Sequence, residues 1–190
     1  MKTTNILIAG VGGQGLVLAT RIIAGVTYKA GFQVKTSDVI GLSQRGGMVW
    51  GSVRFGDVRS VRSPLIPRGH GDFLLALEDL EGLRWVELMK PGAVIITGRE
   101  EILPNRVLIE KEEYPKDIIG KLTELGFSVQ TLDAKAIARE IGNLRLANTV
   151  LLGRLSRHLP FAAQLWTEVL RENVPPHTIE QNLLAFEAKG

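Results

Sequence analysis

The start of this chain joins an apolar run to a glycine-rich turn: Asn5-Ile6-Leu7-Ile8-Ala9-Gly10-Val11-Gly12-Gly13-Gln14-Gly15. Residues 5–9 are continuously apolar, as in a strand buried on both faces of a parallel sheet. From residue 16 to 30 the apolar positions recur at helical spacing, and Gly31 follows as a C-cap. Residues 32–36 read as a second strand, which completes a βαβ opening. Gly10, Gly12 and Gly15 fit G-x-G-x-x-G, a spacing that lets backbone approach a phosphate at a helix N-terminus. The turn therefore points to an α/β layered fold and a nucleotide-like anionic ligand, without choosing the ligand. A free-standing NAD-binding protein also needs an acid about 20 residues further on to hold the ribose. Asp38 comes closest, 23 residues after Gly15 and just past the second strand, a loose fit.

A second glycine loop follows that strand. In Ser43-Gln44-Arg45-Gly46-Gly47 two adjacent glycines admit close backbone approach, and Arg45 offers a planar charged fork for phosphate or carboxylate. The plain alternative is a tight turn with Arg45 in solvent. Residues 48–55 alternate as a half-exposed strand, and residues 58–63 are expected to pair back on it as a hairpin closed by Pro64 and Pro67. Further strands are expected at 73–77, 93–97 and 128–132, with an edge strand at 107–110. Helices are expected at 79–89, 115–125 and 134–141, the last capped by Asp133. Three helical segments follow, at 144–155, 162–172 and 178–188, separated by prolines. The expected architecture is a Rossmann-like, doubly wound, mostly parallel α/β sheet with a β-hairpin insertion over residues 1–142. A C-terminal helical extension over residues 143–190 packs on the same domain. Both glycine loops follow strands, so both belong at the carboxyl edge of such a sheet, where ligands bind.

Composition narrows the chemistry. The 190 residues contain no cysteine, which excludes disulfides, a thiolate nucleophile, cysteine-ligated zinc and iron–sulfur clusters held by this chain's own thiolates. No apolar run approaches the roughly 18 residues that span a bilayer, and the early strand does not read as a signal peptide. The expectation is a cytoplasmic protein without a membrane partner. Net charge is +3, unevenly spread. Residues 1–71 hold nine Lys and Arg against Asp38 and Asp57, a surplus of seven, whereas the remainder is acidic by four. A basic half around a glycine loop suits a polyphosphate or an acidic partner surface. No basic run interleaves with aromatics, so nucleic acid is not expected. His70, His158 and His177 sit near prolines or turns and read as surface or capping residues. Ser43, His70 and Asp72 lack the surroundings of a nucleophile elbow, and the glycine loop lacks the Lys-Ser/Thr ending of a P-loop. No catalytic residue and no metal ligand is assigned.

Several separated motifs carry a family resemblance. Gly10-Val-Gly-Gly-Gln-Gly15, Ser43-Gln-Arg-Gly-Gly47, Ser63-Pro-Leu-Ile-Pro67, Asp72-Phe-Leu-Leu-Ala-Leu-Glu78 and the tail segment Gly142-Asn143-Leu-Arg-Leu-Ala-Asn148 through Leu151-Leu-Gly153 resemble the γ-type subunit of 2-oxoacid:ferredoxin oxidoreductases. Within that family the small β subunit of the indolepyruvate enzymes is the nearest match, and pyruvate, 2-ketoisovalerate and 2-oxoglutarate enzymes share the early motifs. The resemblance implies an accessory subunit of a hetero-oligomer that oxidatively decarboxylates aryl pyruvates to arylacyl-CoA. Thiamine diphosphate, Mg and iron–sulfur clusters would sit on a large partner subunit, with electrons passing to ferredoxin. For this chain it implies that Gly10, Gly12, Gly13, Gln14, Gly15, Ser43, Gln44, Arg45, Gly46 and Gly47 contact coenzyme A or brace the partner's active site. A purely structural assembly subunit is the alternative from another class.

Overall fold

The computed structural model describes residues 3–40, 47–101 and 113–188. Six strands form one sheet: β1 (Thr4–Val11), β2 (Gln33–Ile40), β3 (Met48–Gly56), β4 (Gly71–Ala76), β5 (Met89–Thr97) and β6 (Ser128–Thr131), in the order β2-β3-β1-β4-β5-β6. β1, β4, β5 and β6 run parallel, while β3 is antiparallel to both β1 and β2. The helices are α1 (Leu16–Lys29), α2 (Asp79–Arg84), α3 (Ile118–Glu124), α4 (Ala134–Glu140), α5 (Ala147–Ser156), α6 (Ala163–Asn173) and α7 (Ile179–Glu187). Among the described residues they cover both faces of the sheet, the doubly wound α/β arrangement the sequence predicts.

The apolar pattern of each strand decides where it lies. Ile6, Leu7 and Ile8 are fully buried because β1 is central and roofed on both sides. Ile6 and Ile8 face α1 and the tail helices, whereas Leu7 and Ala9 face the side that carries α2 and α3. The tail helices close the first face through Trp166, which packs against Phe161 and Phe186 with ring centroids 6.3 and 5.6 Å away. α1 and α6 approach closely because Gly25 has no side chain; a Cβ there would stand 2.8 Å from Val169 Cγ1. Lys29 ties the same two helices, with its Nζ 2.6 Å from Glu168 and 2.5 Å from Glu172.

Two expectations about the first half are corrected. Residues 58–63 form no strand, and the strand that pairs antiparallel with β3 on its free side is β2. The reason lies in β3, which is a buried central strand with Val49, Val53 and Phe55 in one core and both of its edges taken by β1 and β2. The βαβ opening is likewise interrupted, because β3 is inserted between β1 and β2. Antiparallel insertion turns the start of β3 toward the end of β1: Met48 pairs with Val11. The entry to β3 at Gly47 and the β1–α1 turn are thereby neighbours at the carboxyl edge of the sheet. Residues 107–110 lie outside the described residues. Two helices are also shorter than expected. The segment from residue 79 ends as a helix at Arg84, passes through a single 3₁₀ turn and enters β5 at Met89; α3 starts at Ile118 rather than at Pro115.

Candidate functional site

The turn between β1 and α1 is built from residues that bond to one another. Gly13 and Gly15 have φ of +104° and +81°, a left-handed region open to glycine. Gln14 folds back over the turn; its Oε1 accepts from the Val11 N–H at 2.7 Å and its Nε2 donates to the Leu77 carbonyl at 2.6 Å. Gly12 N–H donates to the Gly47 carbonyl at 2.8 Å, which locks the first turn to the end of the second. A Cβ on Gly10 would meet Gln14 Oε1 at 2.7 Å and Leu77 Cβ at 3.0 Å, so Gly10 makes room for the glutamine bridge. A Cβ on Gly15 would lie 2.2 Å from Asn148 Nδ2, and Asn148 donates at 3.4 Å to the Gly15 carbonyl. Gly13, unlike Gly10 and Gly15, faces open space, with nothing within 4 Å of a Cβ position.

Over this turn lies a cleft of about 600 Å³. Gly12, Gly13, Gln14 and Gly15 form one wall, and Leu18, Leu77, Ala147 and Leu151 make it apolar. The polar lining consists of Gln14, Glu100, Lys135, Arg145 and Asn148. Glu100 follows β5, Lys135 stands in the first turn of α4, Arg145 sits on the 3₁₀ turn Leu144–Leu146, and Asn148 opens α5. Lys135 Nζ pairs with Glu100 Oε1 at 2.6 Å. Among the described residues the Arg145 guanidinium faces no carboxylate partner and is exposed. α1 starts at the cleft with no acidic residue in its first turn and no side-chain cap. Its first amides and its dipole therefore favour an anion there. Among the described residues the cleft lining includes no Ser, Thr, Tyr, His or Asp. No group of three metal-ligating side chains occurs among the described residues, and none of their helices is long and apolar enough to cross a membrane.

Next along the same edge, the turn from β4 into α2 has the opposite character. Glu78, Asp79 and Glu81 are all buried. Glu78 caps α2, its Oε2 accepting from the Glu81 N–H at 2.7 Å, and its Oε1 accepts from the Tyr114 hydroxyl. Tyr114 in turn accepts from the Leu80 N–H at 3.2 Å. Asp79 accepts from the Thr97 hydroxyl. Burial pushes the Glu78 and Asp79 carboxyls above their usual range. Burial also pushes Glu81 up to about 7, against the opposing pull of Arg84. Neither Glu81 oxygen has a hydrogen-bond partner, and Arg84 Nε stands 3.6 Å away.

Comparison with known proteins supplies the family. The model of the family described as pyruvate ferredoxin/flavodoxin oxidoreductase matches residues 5–189. This chain belongs to that family. It is 38% identical over 192 residues to the indolepyruvate oxidoreductase subunit IorB of Thermococcus kodakarensis, covering 98% of this chain and 94% of that one. It is 35% identical to the IorB of Archaeoglobus fulgidus over 96% of this chain and 92% of that one. The 2-oxoglutarate synthase subunit KorC of Methanothermobacter marburgensis is more distant, at 28% over 97% of this chain and 93% of that one. The fold recurs in the γ subunit of a keto/oxoacid ferredoxin oxidoreductase from Geobacter sulfurreducens, with a TM-score of 0.70 at 22% identity over 97% of this chain and 94% of that one. It recurs again in the 2-oxoglutarate:ferredoxin oxidoreductase of Magnetococcus marinus, solved with 2-oxoglutarate, coenzyme A and succinyl-CoA bound. There the TM-score is 0.74 at 22% identity, and the match covers 98% of this chain but 30% of that one.

In this member of the oxidoreductase family, the residues read from the sequence fall into three groups. Gly12, Gly13, Gln14 and Gly15 line the cleft, and Gly10 lies beneath it. Gly47 reaches the first turn through its carbonyl, while Ser43, Gln44, Arg45 and Gly46 lie outside the described residues. Asp38 stands on edge strand β2, two strands from β1, and lines a groove beside α1 rather than the cleft. Asp72 and His70 anchor the opposite end of the sheet: Asp72 accepts from the Asn5 N–H at 2.8 Å and pairs with Lys90, and the His70 carbonyl accepts from the Asn5 amide. His158 is packed beside Phe73 and Gln130, and burial lowers its pKa. Sequence reasoning missed Glu100, Lys135, Arg145 and Asn148 as cleft residues. The signal for two of them was present, since Arg145 and Asn148 stand in the tail motif that carries the resemblance.

Proposed function

We propose that this chain is the small accessory subunit of an indolepyruvate ferredoxin oxidoreductase, working in the cytoplasm within a hetero-oligomer. The observation that carries the reading is the end-to-end likeness to IorB subunits, 38% identical over 98% of this chain. The large partner carries thiamine diphosphate with Mg²⁺, which supplies the decarboxylating carbanion chemistry, and iron–sulfur clusters that take electrons to ferredoxin. The absence of cysteine here agrees with clusters held elsewhere.

The cleft is this chain's own contribution. Its apolar walls suit a pantetheine-like arm, and Arg145, Lys135 and the α1 amides suit the phosphates of coenzyme A. Gly13 admits the ligand's close approach, whereas Gly15 makes room for Asn148. Gly12 and Gln14 act differently, because their polar groups are bonded within the turn and hold its shape. Arg45, on the second glycine loop, is assigned a further phosphate contact on sequence grounds. The internal bonding of Gly12 and Gln14 also favours a second reading, in which the two loops brace the partner's active site without touching ligand. Co-expression with the large chain of the same genome tests the assignment. Viologen reduction is expected to need both chains, coenzyme A and an aryl pyruvate. Equal activity with pyruvate or 2-oxoglutarate would move the chain to another branch of the family.

A further inference from the structure

Behind the cleft, three buried polar side chains stand where α5 and α7 otherwise bury Val150, Leu152, Ala185 and Phe186 in the core. Asn148 and Thr149 open α5, and Asn182 lies on α7. The Thr149 hydroxyl donates to Asn182 Oδ1 at 2.9 Å, and Asn182 Nδ2 donates to the Thr178 carbonyl at 3.0 Å. Asn148 Oδ1 accepts from the Thr149 N–H at 2.8 Å, which turns Asn148 Nδ2 toward the Gly15 carbonyl. A second link runs beside the first. Asn143 Nδ2 donates to Gln181 Oε1 at 3.3 Å, and Asn143 Oδ1 accepts from the Arg145 N–H at 3.1 Å. Two adjacent residues of α7, Gln181 and Asn182, thus reach the two segments that carry Arg145 and Asn148 into the cleft. α5 and α7 meet without a side chain between them at Gly153, where a Cβ would collide with the Phe186 carbonyl.

We propose that α7 is the positioning element of the cleft: Asn182 through Thr149, and Gln181 through Asn143, hold Asn148 and Arg145 where they meet the ligand. Apolar side chains alone would bind α5 to α7 yet leave the two free to slide or turn, because burial has no direction. A satisfied chain of buried hydrogen bonds selects one register. Register matters at this place. Asn148 bonds the Gly15 carbonyl, and the open amides of α1 begin just beyond that residue. Arg145 stands on the 3₁₀ turn that runs directly into α5. A rotation of α5 would therefore release the Gly15 carbonyl and carry the Arg145 guanidinium away from the α1 amides together. Thr149, Gln181 and Asn182 stand behind the cleft lining rather than in it, so each acts through a neighbour. The inference rests on the proposed coenzyme A cleft and adds what holds its cation and its turn in place.

The test is the KM for coenzyme A of the co-expressed two-chain complex with saturating aryl pyruvate, measured for Thr149→Val, Thr149→Ser and Arg145→Ala side by side. Thr149→Val keeps the shape and removes the donor; Thr149→Ser keeps the donor and removes a methyl. Thr149→Val is expected to raise this KM about fivefold while kcat and the KM for the 2-oxoacid hold. Thr149→Ser is expected to stay within about twofold of wild type. The reverse order, with Thr149→Ser the more impaired, is the mark of packing alone and overturns the proposal. A wild-type KM in Thr149→Val beside a raised KM in Arg145→Ala also overturns it and leaves the cleft reading intact. If Arg145→Ala is unaltered as well, the cleft reading itself fails and the positioning role falls with it. Should Thr149→Val not assemble, Gln181→Ala decides, at a half-buried position. A KM raised about threefold is expected there, and an unaltered one overturns the proposal. Leu184→Gln, on the exposed side of α7, is expected to leave every constant unchanged.

Discussion

Two turns stand side by side at the carboxyl edge of this sheet, one after β1 and one after β4, and they handle charge in opposite ways. The β1–α1 turn has no ionisable group. Its donors are partly consumed by Gln14 and by the Gly12–Gly47 bond, and what remains open is Gly13, the first amides of α1 and Arg145. The β4–α2 turn buries three carboxyls, of which Glu78 caps its own helix and Glu81 has no hydrogen-bond partner. The first turn leaves donors facing the cleft, whereas the second presents buried carboxyls. Leu77 belongs to both: its carbonyl receives Gln14, its side chain lines the cleft, and the next residue is Glu78. The sign of a site at a sheet edge is thus set by what each turn leaves unpaired after its internal bonds are made.

The contrast can be broken most severely at Gly15. A valine there combines φ +81° with a Cβ 2.2 Å from Asn148 Nδ2. It is expected to cost ~3 kcal/mol or more in urea unfolding, whereas Gly13→Ala, strained but facing open space, is expected to cost ~1 kcal/mol. Equal costs at the two positions would remove Asn148 as the constraint on the turn. Gln14→Ala comes next. It strands the Val11 N–H and the Leu77 carbonyl, and about 2 kcal/mol should be lost; a loss below about 0.5 kcal/mol would mean water replaces the bridge.

The acidic turn is probed by pH. Because the folded state raises Glu81 from 4.5 to about 7, the proton is bound more tightly when folded. Its stabilising contribution is complete below about pH 4.5 and disappears as pH rises through about 7. The wild type should melt on the order of 5 °C lower at pH 8 than at pH 5, and Glu81→Gln should flatten much of that slope. Identical slopes would place the pH dependence on other groups. The smallest structural effect is expected at Arg145. Its alanine variant should leave stability within ~0.5 kcal/mol while weakening anion binding, which separates the cleft's charge from its architecture.

Much of this edge was legible from local pattern. The glycine turn, the strand at β1, the Asp133 cap, confirmed by its 2.8 Å bond from the Ala136 N–H, and the run ending at Glu78 all follow from neighbours in sequence. The place of β3 was not legible locally. Residues 48–55 alternate well enough to suit a half-exposed strand, and only pairing with β1 and β2 on its two sides makes the strand central. The cleft's cations were hidden for a related reason. Lys135 and Arg145 lie more than a hundred residues from Gly13, and the packing of α4 and α5 against the α1 side of the sheet brings them to it. Glu81 reads as an ordinary helical glutamate in sequence, and its burial follows from the packing of α2 beneath the sheet edge.

The proposed coenzyme A site lies in the cleft over the glycine turn of the assembled enzyme. Its most direct test is the KM for coenzyme A of the two-chain complex carrying Arg145→Ala, measured with saturating aryl pyruvate. A KM raised about tenfold, equivalent to ~1.4 kcal/mol, is expected, with kcat and the KM for the 2-oxoacid unchanged. An unaltered KM for coenzyme A in a fully assembled complex would contradict it.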